Sequence, residues 1–223
     1  MDAFENLLAA SPYGRIAPCR VEALACQRGA GLVFDNLSFA VKPGTALMVR
    51  GANGSGKSSL LRQLAGLLPV AAGRISHGAA HHHHIHYLGH QDGLKAALSV
   101  AETLAFDAAL AGARRGDEAA SNIAHLLGLA HKQWQFVGDL SAGQKRRLTL
   151  ARLLLAPRAL WLLDEPFTAL DAQGVALVDA LARAHLACGG MIVAASHIEL
   201  GFATQTLDLD EASAATPTQK EAD

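Results

Sequence analysis

The 223-residue sequence predicts an α/β domain, and three stretches carry that prediction. The first is Gly51-Ala-Asn-Gly-Ser-Gly-Lys-Ser58, a Gly-x-x-x-x-Gly-Lys-Ser loop. It lies between the apolar run Ala46–Val49 and a helical pattern with Leu60, Leu61, Leu64 and Leu67 on one face. The second and third are Ala159-Leu-Trp-Leu-Leu163 and Met191-Ile-Val-Ala-Ala195, apolar runs without polar alternation. Short runs of this kind read as strands buried on both faces, the habit of a parallel sheet covered by helices.

Composition bounds what such a domain can do. Half the residues are apolar, and 19 Lys and Arg against 20 Asp and Glu leave a net charge of −1. No overall field therefore draws nucleic acid or an anionic membrane. The longest uncharged apolar run, around Leu186–Ala195, is too short to cross a bilayer and is interrupted by Gly189-Gly190. The first thirty residues show no secretory signal, so the expectation is a cytosolic chain. Cys19, Cys26 and Cys188 lack metal or redox spacing and read as small apolar residues of a reducing compartment.

In chain order, residues 1–18 read as an extension without a chemical motif. Val21, Ala23 and Ala25 alternate, Gly29-Ala-Gly31 turns, and Val33–Val41 alternates again, which predicts a β-hairpin leading into the strand before the loop. Gly73–Ser76 and Ile85–Leu88 read as two further strands of the same small sheet. The intervening His77 and His81–His84, with His86 and His90 after them, invite a metal or haem reading if His82, His84 and His86 share one side. A polar loop of any composition explains them as well, and no nearby carboxylate or thiolate orients the rings. Ser99-Val-Ala-Glu102 is a capping box opening a helix that ends before Gly112, and Asp117–Leu127 reads as a second helix. Arg114 and Arg115 beside Asp117 and Glu118 read as a solvated surface. Ser141-x-x-Gln144 is another capping box, opening a helix of about four turns stopped by Pro157. Asp171 reads as the N-cap of a helix reaching about Ala187, and the polar stretch after Leu209 as a disordered tail.

The chemistry lies at the ends of these elements. Gly51, Gly54 and Gly56 let successive N–H groups of the loop, which also holds Ala52, Asn53 and Ser55, converge on phosphate. The first helical turn, Lys57, Ser58 and Ser59, adds unpaired donors and its positive dipole end. Lys57 can bridge the outer phosphates of a nucleotide, and the Ser58 hydroxyl can hold a magnesium ion. Gln91, ending a strand about forty residues on, can complete the metal's coordination and sense what packs on the apolar segment Leu94–Val100. Ser141, Gly143 and Gln144 form a second helix start suited to an anion. Asp164, at the end of a dry strand, can reach magnesium, and Glu165 beyond it can orient and deprotonate a water. His197, ending another buried strand, can contact the terminal phosphate and fix Glu165 and the water.

In order, Gly51–Ser58, Gln91, Leu140-Ser-Ala-Gly-Gln144, Leu160-Trp-Leu-Leu-Asp-Glu-Pro166, Thr168-Ala-Leu-Asp171 and His197 resemble the Walker A, Q-loop, signature, Walker B, D-loop and H-loop of ABC-transporter ATPases, over about residues 20–210. The resemblance implies a P-loop NTPase core with a small antiparallel β-subdomain and a helical subdomain at about 92–140, within a domain spanning 19–210, followed by a tail over 211–223. It implies ATP and Mg2+ as ligands, and two subunits closing head to tail so that the Ser141 helix of one caps the ATP held by the other. The family's aromatic contact to adenine falls here on Arg28, whose guanidinium plane can stack on a base. More narrowly, Tyr87–Lys95, Leu140–Arg147 with Ala151–Leu155, and Leu163–Asp171 resemble the ATP-binding subunits of haem exporters of cytochrome c maturation. That implies a homodimer bound to integral membrane subunits near Gln91–Val100, peripheral to the cytoplasmic face of a bacterial inner membrane, without nucleic acid. In such systems the membrane subunits handle the cargo, so the histidine run lends this no support. Two alternatives stay open, the ATPase of another small ABC exporter or importer and a soluble ABC protein of ribosomes or DNA. The latter usually joins two ATPase units or carries basic arms, and neither feature occurs in this sequence.

Overall fold

The computed structural model describes residues 16–29, 31–78, 85–112 and 117–214. The His81–His84 run, Arg114 and Arg115, most of the N-terminal extension and residues 215–223 lie outside them.

β1 (Ala17–Arg28) and β2 (Gly31–Val41) form the expected antiparallel hairpin. The expected alternation breaks at Ala23, which adopts φ 48° and donates its N–H to Ser38 Oγ at 2.9 Å. The register shifts there, and Leu24, Ala25 and Cys26 all turn inward. β3 (Ala46–Arg50) leads into the Gly51 loop, and α1 (Lys57–Leu64) leaves it. This helix is shorter than its leucine pattern predicts, since Leu67 lies beyond its end and is 64% exposed. β4 (Ala72–Gly78) pairs with the other edge of β1, completing a three-stranded sheet in the order β2-β1-β4.

β5 (Ile85–Leu88) corrects the sequence expectation. It does not join that small sheet but runs parallel to β6 (Leu160–Asp164), Ile85 opposite Leu160 and Leu88 opposite Leu163. Ile85 and Leu88 are both buried, so the strand closes one edge of the central sheet. That sheet has the order β5-β6-β7-β3-β8, with β7 (Met191–Ala195) and β8 (Gln205–Asp208). All the pairings in it are parallel.

Between β5 and β6 the chain is helical. α2 (Val100–Leu110) opens with the Ser99–Glu102 capping box and α3 (Asp117–Leu126) follows. α4 (Ala142–Leu155) opens with Ser141, whose Oγ accepts the Gln144 N–H at 3.2 Å while Gln144 Oε1 accepts the Ser141 N–H at 3.0 Å. α5 (Ala172–Ala187) starts where Asp171 Oδ1 accepts the Gly174 N–H at 2.8 Å. The stretch after Leu209 also departs from expectation, because Leu209–Ala214 form α6. Leu209 is 1% exposed and anchors this helix in the core, while Asp208 Oδ1 accepts the Asp210 N–H at 2.9 Å.

The central sheet is buried on both faces, as its apolar strands require. Leu47, Val49, Leu162 and Val193 pack toward α1 and the small sheet. Met48, Trp161, Leu163, Ile192 and Ala194 pack toward α4, α5 and the helical region. Parallel strands send all their carboxyl ends to one edge, and the Gly51 loop, Asp164-Glu165 and Ser196-His197 therefore emerge together. No helix among the described residues is long and apolar enough to cross a membrane.

Candidate functional site

The Gly51 loop has a backbone that β-carbons would spoil. Gly51, Gly54 and Gly56 adopt φ of 141°, 89° and 103°. A Cβ at Gly56 would stand 2.6 Å from Val33 Cγ1 and 2.9 Å from Phe34 Cδ1, so β2 packs directly on the loop. Gly56 is the N-cap of α1 and no side chain caps that end, which leaves the first-turn N–H groups to an external acceptor. Lys57 is 8% exposed, and its Nζ donates to Gly51 O at 2.7 Å and Ala52 O at 2.8 Å. An ammonium has three donors, so one remains for an anion.

Opposite this cradle stand two carboxylates. Asp164 is 3% exposed, and its Oδ2 has no hydrogen-bond partner among the described residues. Glu165 follows with φ 50°, its N–H donated to Ala195 O at 2.9 Å. Its buried Oε1 lies 3.4 Å from His197 Nε2, within ion-pair reach but without the alignment of a hydrogen bond. Leaving buried carboxylate oxygens undonated is costly unless a cation or a bound water completes them.

These groups line one cleft of about 520 Å³. Arg28, Asn53, Gly54, Gly56, Lys57, Ser58, Ser59, Asp164, Glu165 and His197 all face it, together with Val33, His90 and Thr168. Gly51 and Ala52 contribute through their carbonyls to Lys57, and Ser55 Oγ is buried without a partner among the described residues. Ser58 and Asp164 present the oxygen donors that suit a hard divalent ion, and the glycine cradle suits a phosphate.

Four expected residues are not brought into this cleft within one chain. Gln91 is exposed and lines an adjoining depression with Arg62, Tyr87, Thr149 and Arg152, and its neighbour His90 lines both that depression and the cleft. Ser141, Gly143 and Gln144 stand at the start of α4, where a Cβ at Gly143 would come 2.9 Å from Ala169 O. Asp210, which the sequence reading left in the tail, also bears on the site. Its Oδ2 accepts the Ala52 N–H at 2.7 Å and so ties α6 to the phosphate loop. Only the spacing of Asp208 and Asp210 around a buried Leu209 hinted at a helix start there.

Two histidines lie away from the cleft, His185 fully buried and His86 partly buried. Burial pushes His86 down to about 4, against the opposing pull of a hydrogen bond with Ala156 O at 2.5 Å. Burial likewise pushes His185 down to about 3, where it stacks on Trp161 with ring centroids 3.8 Å apart. Among the described residues no group of three or more His, Cys, Asp or Glu could hold a metal ion. His86 is partly buried and bonded to Ala156 O.

Residues 34–168 match the family model described as ABC transporter. The chain is 50% identical over 195 residues to the cytochrome c biogenesis ATP-binding export protein CcmA of Cereibacter sphaeroides, covering 87% of this chain and 90% of that protein. It is 49% identical over 187 residues to the protein of the same description from Bradyrhizobium diazoefficiens, covering 82% and 92%. Among solved structures, a putative ABC transporter ATP-binding protein of Pyrococcus furiosus superposes with a TM-score of 0.77 at 21% identity, covering 88% of this chain and all of that one. An ATP-binding subunit of an ABC transporter does so at 0.78 and 22%, covering 85% of each. At those identities the two structures speak for the fold alone.

Proposed function

This chain belongs to the ABC transporter family, and from that premise we propose that it is the ATP-binding and ATP-hydrolysing subunit of a transporter of cytochrome c biogenesis, powering haem export or the release of a haem-loaded chaperone. The observation that carries the ATPase reading is the pair of undonated buried carboxylate oxygens, Asp164 Oδ2 and Glu165 Oε1, facing the glycine cradle across one cleft. The cytochrome c part rests on the names of relatives that this chain matches over most of its length.

In this reading the loop amides and Lys57 grip the phosphates and Arg28 stacks beside the base. Ser58 and Asp164 would hold Mg2+, with Gln91 joining them once its segment swings inward. An ion held there would offset the charge of the outer phosphate oxygens. Glu165 takes a proton from the attacking water, and His197, 3.4 Å from its Oε1, positions both the carboxylate and the terminal phosphate. Ser141, Gly143 and Gln144 do not line the cleft of their own chain, and the first turn of α4 carries no acidic residue. Both features support a head-to-tail dimer in which Ser141, Gly143 and Gln144 of one copy close over the nucleotide of the other. Integral membrane subunits would dock near Gln91–Val100 and hold the dimer at the cytoplasmic face of the inner membrane.

The decisive experiment for the cargo is deletion of this chain's gene followed by haem staining of c-type cytochromes. Loss of staining, restored by the wild-type chain and not by Glu165→Gln, is the expected result. Normal staining after deletion would remove the haem assignment and leave the ATPase reading standing.

A further inference from the structure

Arg146 lies in the second turn of α4 and is only 4% exposed. Its Nη1 donates to Gly89 O at 3.1 Å and Asp92 Oδ1 at 3.3 Å, and its Nη2 donates to Asp164 O at 3.0 Å and Glu165 O at 2.8 Å. One side chain therefore joins three segments. These are the helix beginning at Ser141, the loop after β5 that carries His90 and Gln91, and the end of β6 that carries both carboxylates.

The arrangement is expensive for a purely structural contact. A guanidinium this deep loses most of its hydration, its one carboxylate partner is partly exposed, and its Nε has no acceptor among the described residues. An apolar side chain of similar length would fill the space without that cost. What an apolar side chain would not do is hold Glu165. That residue has φ 50°, a region sparsely used by residues with a Cβ, and such a conformation persists only where its surroundings impose it. Ala195 O takes its N–H at 2.9 Å, and Arg146 and the Thr168 N–H, at 2.8 and 3.2 Å, hold its carbonyl. The direction of the Glu165 side chain follows from the peptides so fixed.

We propose that Arg146 is a positioning residue that couples the Gly89–Asp92 segment to the aim of the Glu165 carboxylate. A shift of that segment, or of α4 itself, moves the guanidinium, and the guanidinium moves the backbone from which the base projects. Arg146 touches no reacting atom. The inference rests on the ATPase reading of the cleft and adds to it a route by which events outside the cleft set its turnover.

The test uses the full chain and compares Arg146→Lys, Arg146→Met and Asp92→Asn with wild type. Equilibrium binding of ATP and single-turnover hydrolysis are measured separately, with thermal melting to establish folding. Arg146→Lys, which reaches fewer of the four acceptors, is expected to lower the hydrolysis rate about tenfold with ATP affinity within about threefold. Asp92→Asn, which loses only the charged partner, is expected to lower it about threefold with affinity unchanged. Arg146→Met is expected to exceed both if it folds, and the two milder variants carry the test if it does not. Unchanged hydrolysis in folded Arg146→Lys and Asp92→Asn would overturn the proposal, as would a loss of affinity parallel to the loss of rate. Failure of the wild-type chain to bind ATP would instead strike the reading of the cleft.

Discussion

Each buried oxygen at the end of β6 must find a proton donor or a cation, and this requirement separates the roles of neighbouring residues. Asp164 Oδ2 and Glu165 Oε1 face the same cleft, yet Asp164 closes the strand while Glu165 turns away at φ 50°. Glu165→Gln keeps size and loses the base, so it is expected to bind ATP normally and to reduce single-turnover hydrolysis by at least about a hundredfold. Hydrolysis equal to wild type would take Glu165 out of its role. Lys57→Ala removes a side chain bonded to two loop carbonyls as well as the proposed phosphate contact, and equilibrium titration should show no ATP binding. Gly56→Ala meets both a left-handed backbone and Val33 Cγ1 at 2.6 Å, so loss of nucleotide binding with destabilisation of about 1–3 kcal/mol is expected in denaturant melts. Glycine spacing, Lys57 and the acidic pair were legible because each is dictated within a few residues of chain. That His90 reaches the cleft while Gln91 lines only the depression beside it was not, because the reach of adjacent loop residues is set only once the loop is placed.

Helix starts were legible for the same local reason. Ser99 and Ser141 each sit three residues before a Glu or Gln, and both capping boxes are formed. Ser99→Ala should cost about 1 kcal/mol, read as a lowered melting temperature. Strand partners were harder. Ile85–Leu88 is too short to show which sheet it serves, and its pairing is decided by β6, more than seventy residues away. α6 was missed because a six-residue helix with a polar sequence has little stability of its own and depends on Leu209 docking in the core. Its Asp210 holds the Ala52 N–H, so Asp210→Ala is expected to weaken ATP binding severalfold while Asp210→Asn, which keeps an acceptor, restores most of it. Equal affinity in wild type and Asp210→Ala would show that α6 does not steady the loop.

Across the whole molecule, two neutral histidines tie stability to pH. His86 and His185 have folded values of about 4 and about 3, below the ordinary 6.5, so the unfolded chain binds more protons in acid. Their contribution is complete above about pH 6.5 and is lost as the pH falls toward the folded values. From pH 8 to pH 5 each should cost about 2 kcal/mol, and His185→Gln should flatten that slope by roughly half. A melting temperature that holds steady to pH 5 would show that neither ring is buried as described. At the same scale, the two anion-seeking ends, the Gly51 loop and the start of α4, stand apart within one chain. Glu165→Gln with ATP and magnesium is therefore expected to run as a dimer in size-exclusion chromatography with light scattering, and a persistent monomer would contradict the head-to-tail arrangement.

The amino-acid order alone determined the fold class, the glycine loop, the acidic pair and the helix caps, since each follows from spacing over a handful of residues or from runs too apolar to face water. Only the tertiary structure decided the sheet to which β5 belongs, the side chain of the Gly89–Asp92 loop that faces the cleft, the anchoring of the loop by Asp210 and the burial of Arg146 among four acceptors. Those depend on contacts between segments far apart in the chain, where packing of the core, rather than local preference, selects one arrangement from many.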